Sequence, residues 1–290
     1  MLKTFFMLFF IFTSLFAQYS RGVVKEGLTV KSKILSKDVR YTVYLPDDYS
    51  SSSRYYPVVY LLHGYTDNDM GWLQFGEINR LADEAIATGE IPPMIIVMPD
   101  AGVSWYINNY DGSVKYEDFF IKEFIPFIES QYRIRKAKRY RAIAGLSMGG
   151  YGTLNFAFKH PDLFSSAAPL SAAVYTDKQV IEFSQERWNK VEGVLFGENL
   201  KGKDRLTEHF KKNSPLHLLD DLDIAGIKKV HFYFDCGDDD NLSIGNSEMH
   251  IKMKELNIPH EFRMRDGRHN WIYWRSGIID ALKFIGKRFH

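Results

Sequence analysis

The length, composition and charge of the chain are those of a globular protein with one large core. It has 290 residues, of which 45% are hydrophobic and 25% charged, which suits one α/β core and is short for two independent domains. The formal net charge of +1 gives no electrostatic basis for binding nucleic acid or an anionic membrane surface, so neither class of partner is expected.

The first residues are typical of a secretory signal peptide. Lys3 gives a positive start, residues 5–16 form an apolar run, and Ala17 is a small residue at a suitable cleavage point. The run is shorter than the roughly 20 residues that span a bilayer, which disfavours the alternative of an uncleaved anchor. Cys236 is the single cysteine of the sequence, so we expect neither an intrachain disulfide nor a lipid anchor. We therefore expect a signal peptide at residues 1–17, a single domain at residues 18–290, and export to the periplasm or the cell exterior without later membrane contact.

Two kinds of strand pattern follow in chain order. Residues 28–35 and 39–45 alternate apolar and polar side chains and are rich in β-branched residues, which predicts a pair of strands. The later strands are predicted from continuous apolar runs, which are typical of parallel strands buried on both faces. These runs are residues 57–62, 93–98, 140–144, 166–170, 230–234 and 260–264.

Helical segments alternate with these runs. Apolar residues recur at helical spacing in residues 79–88, 117–131, 148–158, 247–256 and 271–288. Frequent alternation of strand and helix predicts an α/β fold with a doubly wound, mostly parallel sheet and helices on both faces. The less regular residues 175–223 are predicted to form an insertion of helices and loops, where such folds often build the walls of a substrate site.

The strongest functional motif is residues 145–150 (GLSMGG), which follow a predicted strand and precede a predicted helix. A sharp turn between strand and helix needs small flanking residues because the backbones crowd there, and it exposes the Ser147 hydroxyl above the sheet. This context predicts an α/β-hydrolase with Ser147 as its nucleophile rather than a glycine-rich turn with an inert serine.

A serine nucleophile needs a base, and the base needs an acid that orients it. In this fold they follow in the order serine, acid, histidine. His269 lies in the loop between the last predicted strand and the final helix and is the predicted base, whereas His231 and His260 lie in or beside strands and His290 is terminal.

The acid is expected after the predicted strand at residues 230–234. Four carboxylates stand there, and position alone does not separate them: Asp235, Asp238, Asp239 and Asp240. The run lacks the spaced ligands of a calcium loop, so no metal is expected there. A serine, histidine and acid need no cofactor for ester hydrolysis, so none is expected either.

The oxyanion of the reaction needs two backbone donors. One is predicted to be the N–H of Met148, directly after the nucleophile, and the other that of Tyr65, in the loop after the first central strand. His63 in the same loop is predicted to be a structural hydrogen-bonding residue rather than a second base.

Five segments together resemble the esterase D-like superfamily of α/β-hydrolases. This superfamily includes the feruloyl and acetyl-xylan esterases of carbohydrate esterase family one, tributyrin-type esterases, S-formylglutathione hydrolases and mycobacterial mycolyltransferases. The resemblance covers most of residues 38–290 and rests on residues 56–64 (YPVVYLLHG), 95–100 (IIVMPD), 141–152 (RAIAGLSMGGYG), 235–240 (DCGDDD) and 267–271 (GRHNW).

The resemblance implies roles that spacing does not supply. It favours Asp240 over Asp239 as the acid, supports Tyr65 as an oxyanion donor, and places residues 105–110 near the substrate. One departure is the sequence Tyr65-Thr66-Asp67, where many relatives have further glycines, so the oxyanion loop is expected to differ in shape.

These observations predict a secreted serine carboxylic-ester hydrolase that needs no cofactor and acts on a small-molecule or oligosaccharide ester. The resemblance and the expected export favour removal of feruloyl or acetyl groups from plant polysaccharide. A general short-chain esterase and an acyltransferase of the mycolyltransferase kind are the alternatives. Four aromatic residues are candidates for stacking on a sugar or phenolic ring: Trp105, Tyr106, Trp271 and Trp274.

Overall fold

A computed structural model of the protein describes residues 21–289. The predicted signal peptide at residues 1–17 lies outside the described residues. No helix within residues 21–289 is both long and apolar enough to cross a membrane.

Within the described chain, eight strands form one sheet. They are β1 Val23–Ser32, β2 Lys37–Leu45, β3 Val58–Leu62, β4 Ile95–Pro99, β5 Arg141–Leu146, β6 Ser166–Leu170, β7 His231–Gly237 and β8 His260–Arg265. Their order across the sheet is β1-β2-β4-β3-β5-β6-β7-β8. Strands β3 to β8 are mutually parallel, whereas β2 is antiparallel to both β1 and β4.

Helices connect the parallel strands and cover both faces of the sheet. The α-helices are α1 Gly71–Gln74, α2 Ile78–Ala87, α3 Tyr116–Phe119, α4 Ile125–Gln131, α5 Met148–Lys159, α6 Asp177–Glu182, α7 Gln185–Arg187, α8 Gly193–Phe196, α9 Glu208–Lys211, α10 Pro215–Asp221, α11 Ile224–Ile227, α12 Ser243–Glu255 and α13 Trp271–Gly286. Two π-helical segments, Phe120–Phe124 and Trp188–Glu192, join α3 to α4 and α7 to α8.

The central strands are buried on both faces, which explains their continuous apolar runs. Successive residues of a strand point to opposite faces, so β3 contributes Val58, Tyr60 and Leu62 to one core and Val59 and Leu61 to the other. The first core lies under α5 and the insertion, and the second lies under α2 and α13. This arrangement is the predicted α/β-hydrolase fold.

Three boundaries differ from the prediction for identifiable reasons. The first strand ends at Ser32, because the chain turns with Ser36 at φ 53°. Strand β7 continues to Gly237 and so includes Asp235, whose charge is paired with Arg265. The helix predicted at residues 117–131 is interrupted by the π-helical segment Phe120–Phe124.

The insertion predicted at residues 175–223 consists of short helices and loops, from α6 to α10. The buried Arg205 guanidinium holds this segment together by donating to the carbonyls of Val180, Ile181 and Phe183. The segment packs over α5, where the Tyr151 hydroxyl donates to the Asn213 carbonyl at 2.7 Å.

Candidate active site

Ser147 lies at the sharp turn between β5 and α5. Its backbone has φ 53° and ψ −116°, a conformation that is strained for a residue with a side chain. Neighbouring backbone groups hold it there: the Ser147 N–H donates to the Leu170 carbonyl at 3.0 Å, and the Ser147 carbonyl accepts from the Ala173 N–H at 3.0 Å. The turn thus presents the hydroxyl at the carboxyl end of the parallel strands.

The glycines that flank the serine are required by close backbone contacts. A Cβ atom at Gly145 would lie 2.6 Å from the Gly149 carbonyl oxygen, and one at Gly149 would lie 2.5 Å from the Leu62 carbonyl oxygen. A side chain at Gly145 would push β5 and α5 apart, and one at Gly149 would push α5 away from the end of β3, so the motif is set by packing at the turn.

His269 and Asp240 complete a hydrogen-bonded chain with the serine. Ser147 Oγ lies 2.9 Å from His269 Nε2, and His269 Nδ1 lies 2.8 Å from Asp240 Oδ2. An acceptor-only carboxylate at Nδ1 requires that nitrogen to carry the proton, which leaves Nε2 free to accept from the serine hydroxyl. The three side chains come from three separate loops, after β5, β7 and β8.

The Asp240 side chain is fully buried, yet its ionised form is favoured. Burial alone would raise the pKa of Asp240, but hydrogen bonds from His269 and from the Leu242 N–H lower it below its usual value. The Leu242 bond is 2.8 Å long and is made to Oδ1, so each carboxylate oxygen has its own donor. The site therefore holds a negative charge beside the imidazole at neutral pH.

The other acidic residues of this loop contact the loop that carries His269. Asp238 Oδ1 accepts from the Gly267 N–H at 3.1 Å, and the exposed Asp239 lies 3.5 Å from Arg268 Nε. Three consecutive acids thus contact three consecutive residues, the third contact being that of Asp240 with His269. Their arrangement explains why position in the sequence did not separate them.

Asp235 anchors the two ends of the loop that carries His269. Its buried carboxylate accepts from Arg265 Nε at 3.0 Å and from the Tyr273 hydroxyl. Arg265 ends β8, and Tyr273 lies in the first turn of α13, so one carboxylate binds the residues on both sides of the loop. We infer that Asp235 is a positioning residue for His269 and is not the acid.

The predicted oxyanion donors lie beside Ser147. Residues 64–67 form a tight turn, in which the Asp67 N–H donates to the Gly64 carbonyl at 3.2 Å and Thr66 has φ 65°. A Cβ atom at Gly64 would lie 3.7 Å from Ser147 Cβ, so the turn packs directly against the serine. Within residues 21–289, the amide N–H groups of Tyr65 and Met148 have no protein acceptor, which leaves both available to a substrate oxygen.

His63 is a buried part of this turn. Its Nδ1 lies 2.8 Å from the Gly64 carbonyl oxygen, and its Nε2 accepts from the Ala101 N–H at 2.9 Å. Burial lowers the pKa of His63 and keeps the ring neutral, even though Asp100 lies 3.8 Å away. Both ring nitrogens are occupied, so His63 has no free nitrogen with which to act as a base.

A cleft of about 470 Å³ opens above the serine. Trp271 and Trp274 line it together with Ser147 and His269. The Trp274 ring meets the His269 ring edge to face at 4.8 Å, and its Nε1–H donates to Ser171 Oγ at 3.1 Å. This volume lies within the usual range of small-molecule sites.

The structure does not place Trp105 and Tyr106 in this cleft, which corrects the expectation that they line it. Tyr106 is fully buried, and its hydroxyl donates to the His63 carbonyl at 3.1 Å, so it supports the turn at residues 64–67. Trp105 lies between the rings of Tyr65 and Tyr151 and faces a small apolar cavity under the insertion. Both residues have a positive φ, and both side chains are buried.

Three residues near the site were missed by the sequence analysis. Ser171, at the end of β6, accepts from Trp274 and helps to lower the pKa of Asp240. Asp67 and Phe75 line the cleft. A serine directly after a predicted strand is the only signal for Ser171. Asp67 belongs to the departure noted at residues 65–67, which did not predict its place in the cleft, and no local pattern marks Phe75.

The acidic and histidine side chains of residues 21–289 form no cluster of three or more potential metal ligands. The arrangement described above can instead support proton transfer between a serine and a histidine, with two backbone donors beside them.

Comparison with known proteins shows the family to which the chain belongs. The family model described as Esterase matches residues 32–285. Esterase Rv1288 of Mycobacterium tuberculosis is 32% identical over 245 residues, which cover 78% of this chain and 51% of that protein. The chain therefore spans about half the length of this curated relative.

Solved structures extend the similarity to nearly the whole chain. A ferulic acid esterase is 34% identical, with a TM-score of 0.80 and coverage of 93% of this chain and 99% of that one. The substrate-bound Staphylococcus aureus fluorophosphonate-binding serine hydrolase F is 28% identical, with a TM-score of 0.76 and coverage of 91% and 98%. The family match, the fold and the geometry around Ser147 agree, and the chain belongs to the Esterase family.

Proposed function

We propose that the protein is a secreted serine carboxylic-ester hydrolase that removes feruloyl or acetyl groups from plant polysaccharide. The observation that carries the proposal is the hydrogen-bonded chain from Ser147 Oγ through His269 to the buried Asp240, which opens into a cleft. The name of the similar ferulic acid esterase supports the same class of substrate.

The first half of the reaction forms an acyl-enzyme. Ser147 Oγ attacks the ester carbonyl carbon while His269 Nε2 accepts its proton, and Asp240 stabilises the imidazolium that results. The N–H groups of Tyr65 and Met148 hold the oxyanion. As the tetrahedral intermediate collapses, its C–O bond to the alcohol breaks and His269 donates its proton to the departing oxygen.

The second half regenerates the serine. Water loses a proton to His269 and attacks the acyl carbon, and the bond to Ser147 Oγ breaks as the serine regains a proton from the imidazolium. The products are a carboxylic acid and an alcohol. A sugar hydroxyl in place of water would give acyl transfer, the second candidate outcome of the same site.

The proposal is tested with Ser147→Ala. We expect a folded protein whose rate of ester turnover falls by at least about 10⁴-fold, because members of such a triad act as a unit. A fluorophosphonate probe is expected to label the wild type and not the variant. Retained turnover or labelling in the Ser147→Ala protein would refute the assignment of the nucleophile.

Substrate preference is tested by release of ferulate and acetate from feruloylated and acetylated xylan oligosaccharides, with p-nitrophenyl acetate alongside. A preference for either oligosaccharide supports a polysaccharide esterase and identifies its acyl group. Turnover of the simple ester alone favours a general short-chain esterase, and acylated sugar acceptor among the products favours acyl transfer.

A further inference from the structure

Among the side chains that line the cleft without taking part in the proposed chemistry are one carboxylate and two aromatic rings. They are Asp67, Phe75 and Trp271, which line the same cleft as Ser147 and His269. We call these three residues the acid–aromatic wall. It combines a carboxylate with two aromatic rings, and each component has a distinct binding property.

The aromatic part of the wall is preformed. Phe75 is 50% exposed, and its ring centre lies 5.8 Å from that of Trp271 at an interplanar angle of 37°. Trp271 is held edge to face by Trp72 at 5.2 Å and by Trp274 at 5.4 Å. An aromatic surface that is already fixed can bind the apolar C–H face of a sugar ring with little loss of side-chain entropy.

The carboxylate of the wall has unused acceptor capacity. Asp67 Oδ1 accepts from the Asn68 N–H at 3.1 Å, and no basic side chain within the described residues forms an ion pair with Asp67. The half-buried position of Asp67 raises its pKa. The absence of a side chain at Gly71 makes room for the carboxyl group, since a Cβ atom there would lie 2.4 Å from both carboxyl oxygens. Because an ionised carboxylate only accepts hydrogen bonds, it binds hydroxyl groups and repels anions.

The direction of the reaction decides which half of the ester meets this wall. His269 Nε2 must reach the departing alcohol oxygen, so the alcohol leaves from the histidine side of the cleft. The Trp274 ring lies 4.8 Å from that of His269 and 5.4 Å from that of Trp271, so Trp271 and the neighbouring Phe75 stand on the histidine side. Asp67 lines the same cleft, and we take this side as the place where the alcohol emerges.

We propose that Asp67, Phe75 and Trp271 bind the alcohol half of the ester, and that this half is a neutral sugar with free neighbouring hydroxyl groups. This inference rests on the proposed function, because His269 sets the direction in which the alcohol leaves. The sugar ring stacks on the two aromatic rings, and its hydroxyls donate to Asp67. A sugar that carries a carboxylate is disfavoured by the charge of Asp67.

The test compares three acetyl esters that differ in the alcohol alone: acetylated xylotriose, acetylated trigalacturonate and p-nitrophenyl acetate. In Asp67→Asn we expect kcat/KM for the xylotriose ester to fall about tenfold relative to p-nitrophenyl acetate, the size of a lost charge-assisted hydrogen bond. The preference for xylotriose over trigalacturonate is expected to narrow as well. Phe75→Leu keeps apolar volume and removes the ring, and is expected to lower the same ratio about threefold.

Two further variants separate position from charge. Gly71→Ala keeps the charge of Asp67 but displaces its carboxylate, and is expected to lower the xylotriose ratio in the same direction. Asp38→Asn removes one carboxylate from an exposed position of β2 and is the matched control, with an unchanged ratio. Equal losses for the sugar and non-sugar esters in Asp67→Asn, or equal wild-type rates on xylotriose and trigalacturonate esters, would overturn the proposal.

Failure of the proposed function would look different. In that case Ser147→Ala would turn over each of the three esters at the wild-type rate, or neither protein would turn over any of them. Calorimetric titration of free xylotriose into the wild type then tests the wall directly. Binding that weakens in Asp67→Asn supports the proposal, and no binding to the wild type overturns it.

Discussion

Replacement of the buried Asp240 by Asn tests the proposed orienting acid. The carboxylate receives one donor on each oxygen, His269 Nδ1–H and the Leu242 N–H, both at 2.8 Å. An Asn side chain has an oxygen at only one of these two positions, so in this geometry it cannot accept from both donors. If its NH₂ group faces the imidazole, Nδ1 must accept, Nε2 carries the proton, and the ring can no longer take the proton of Ser147.

This forced change of tautomer sets the magnitude. The corresponding change in serine proteases lowers kcat by roughly 10⁴-fold, which corresponds to about 5 kcal/mol of lost transition-state stabilisation. We expect a similar loss in kcat/KM for p-nitrophenyl acetate. Asp239→Asn is the matched control, because Asp239 is exposed and its contact with Arg268 contributes little.

Both variants are assayed at several pH values, with thermal unfolding measured in parallel. We expect the Asp239→Asn rate to stay within about twofold of the wild-type rate. The reasoning would be refuted by a larger loss in Asp239→Asn than in Asp240→Asn. It would equally be refuted if Asp240→Asn remained folded and kept more than about a tenth of the wild-type rate.

Three further predictions concern the frame around the site. Gly149→Ala places a Cβ atom 2.5 Å from the Leu62 carbonyl oxygen, so we expect a destabilisation of about 3 kcal/mol; an unchanged midpoint of thermal unfolding would contradict this. Arg265→Gln leaves the buried Asp235 without its cation and is expected to cost about 3 kcal/mol and to lower kcat by loosening the His269 loop; unaltered unfolding and kcat would show that the anchor is dispensable. Burial lowers the pKa of His63 in the folded state, so its contribution to stability is complete above the unfolded pKa of about 6.5 and is lost as pH falls toward the folded value. The free energy of unfolding measured from pH 7 to pH 5 should therefore decrease less steeply in His63→Asn than in the wild type, and equal slopes would exclude this role.

The central strands could be predicted from the sequence because burial on both faces leaves an uninterrupted apolar run. The run at residues 166–170 coincides with β6, and the run at residues 57–62 differs from β3 by one residue. Strand β7 was predicted too short, since Asp235 interrupts its run. Only the contacts of Asp235 with Arg265 and Tyr273, about 30 or more residues further along the chain, allow that charge inside a strand.

The location of the aromatic residues, in contrast to that of the central strands, could not be predicted from the sequence. Trp105 and Trp271 were both predicted to line the substrate site, and nothing local distinguishes them. Trp271 begins a helix beside His269 and lines the cleft. Trp105 has φ 54°, and its ring packs between Tyr65 and Tyr151 instead.

The sequence by itself determined the succession of strands and motifs along the chain, the turn at Ser147 and the candidate base His269, because each depends on neighbours along the chain. The tertiary structure decided which acid meets the imidazole and which aromatic rings line the cleft. Asp238, Asp239 and Asp240 are equivalent as a local pattern, and only the approach of the loop after β8 places His269 at Asp240. Such choices depend on contacts between segments that are distant in sequence, and these form only when the sheet brings the carboxyl ends of its parallel strands together.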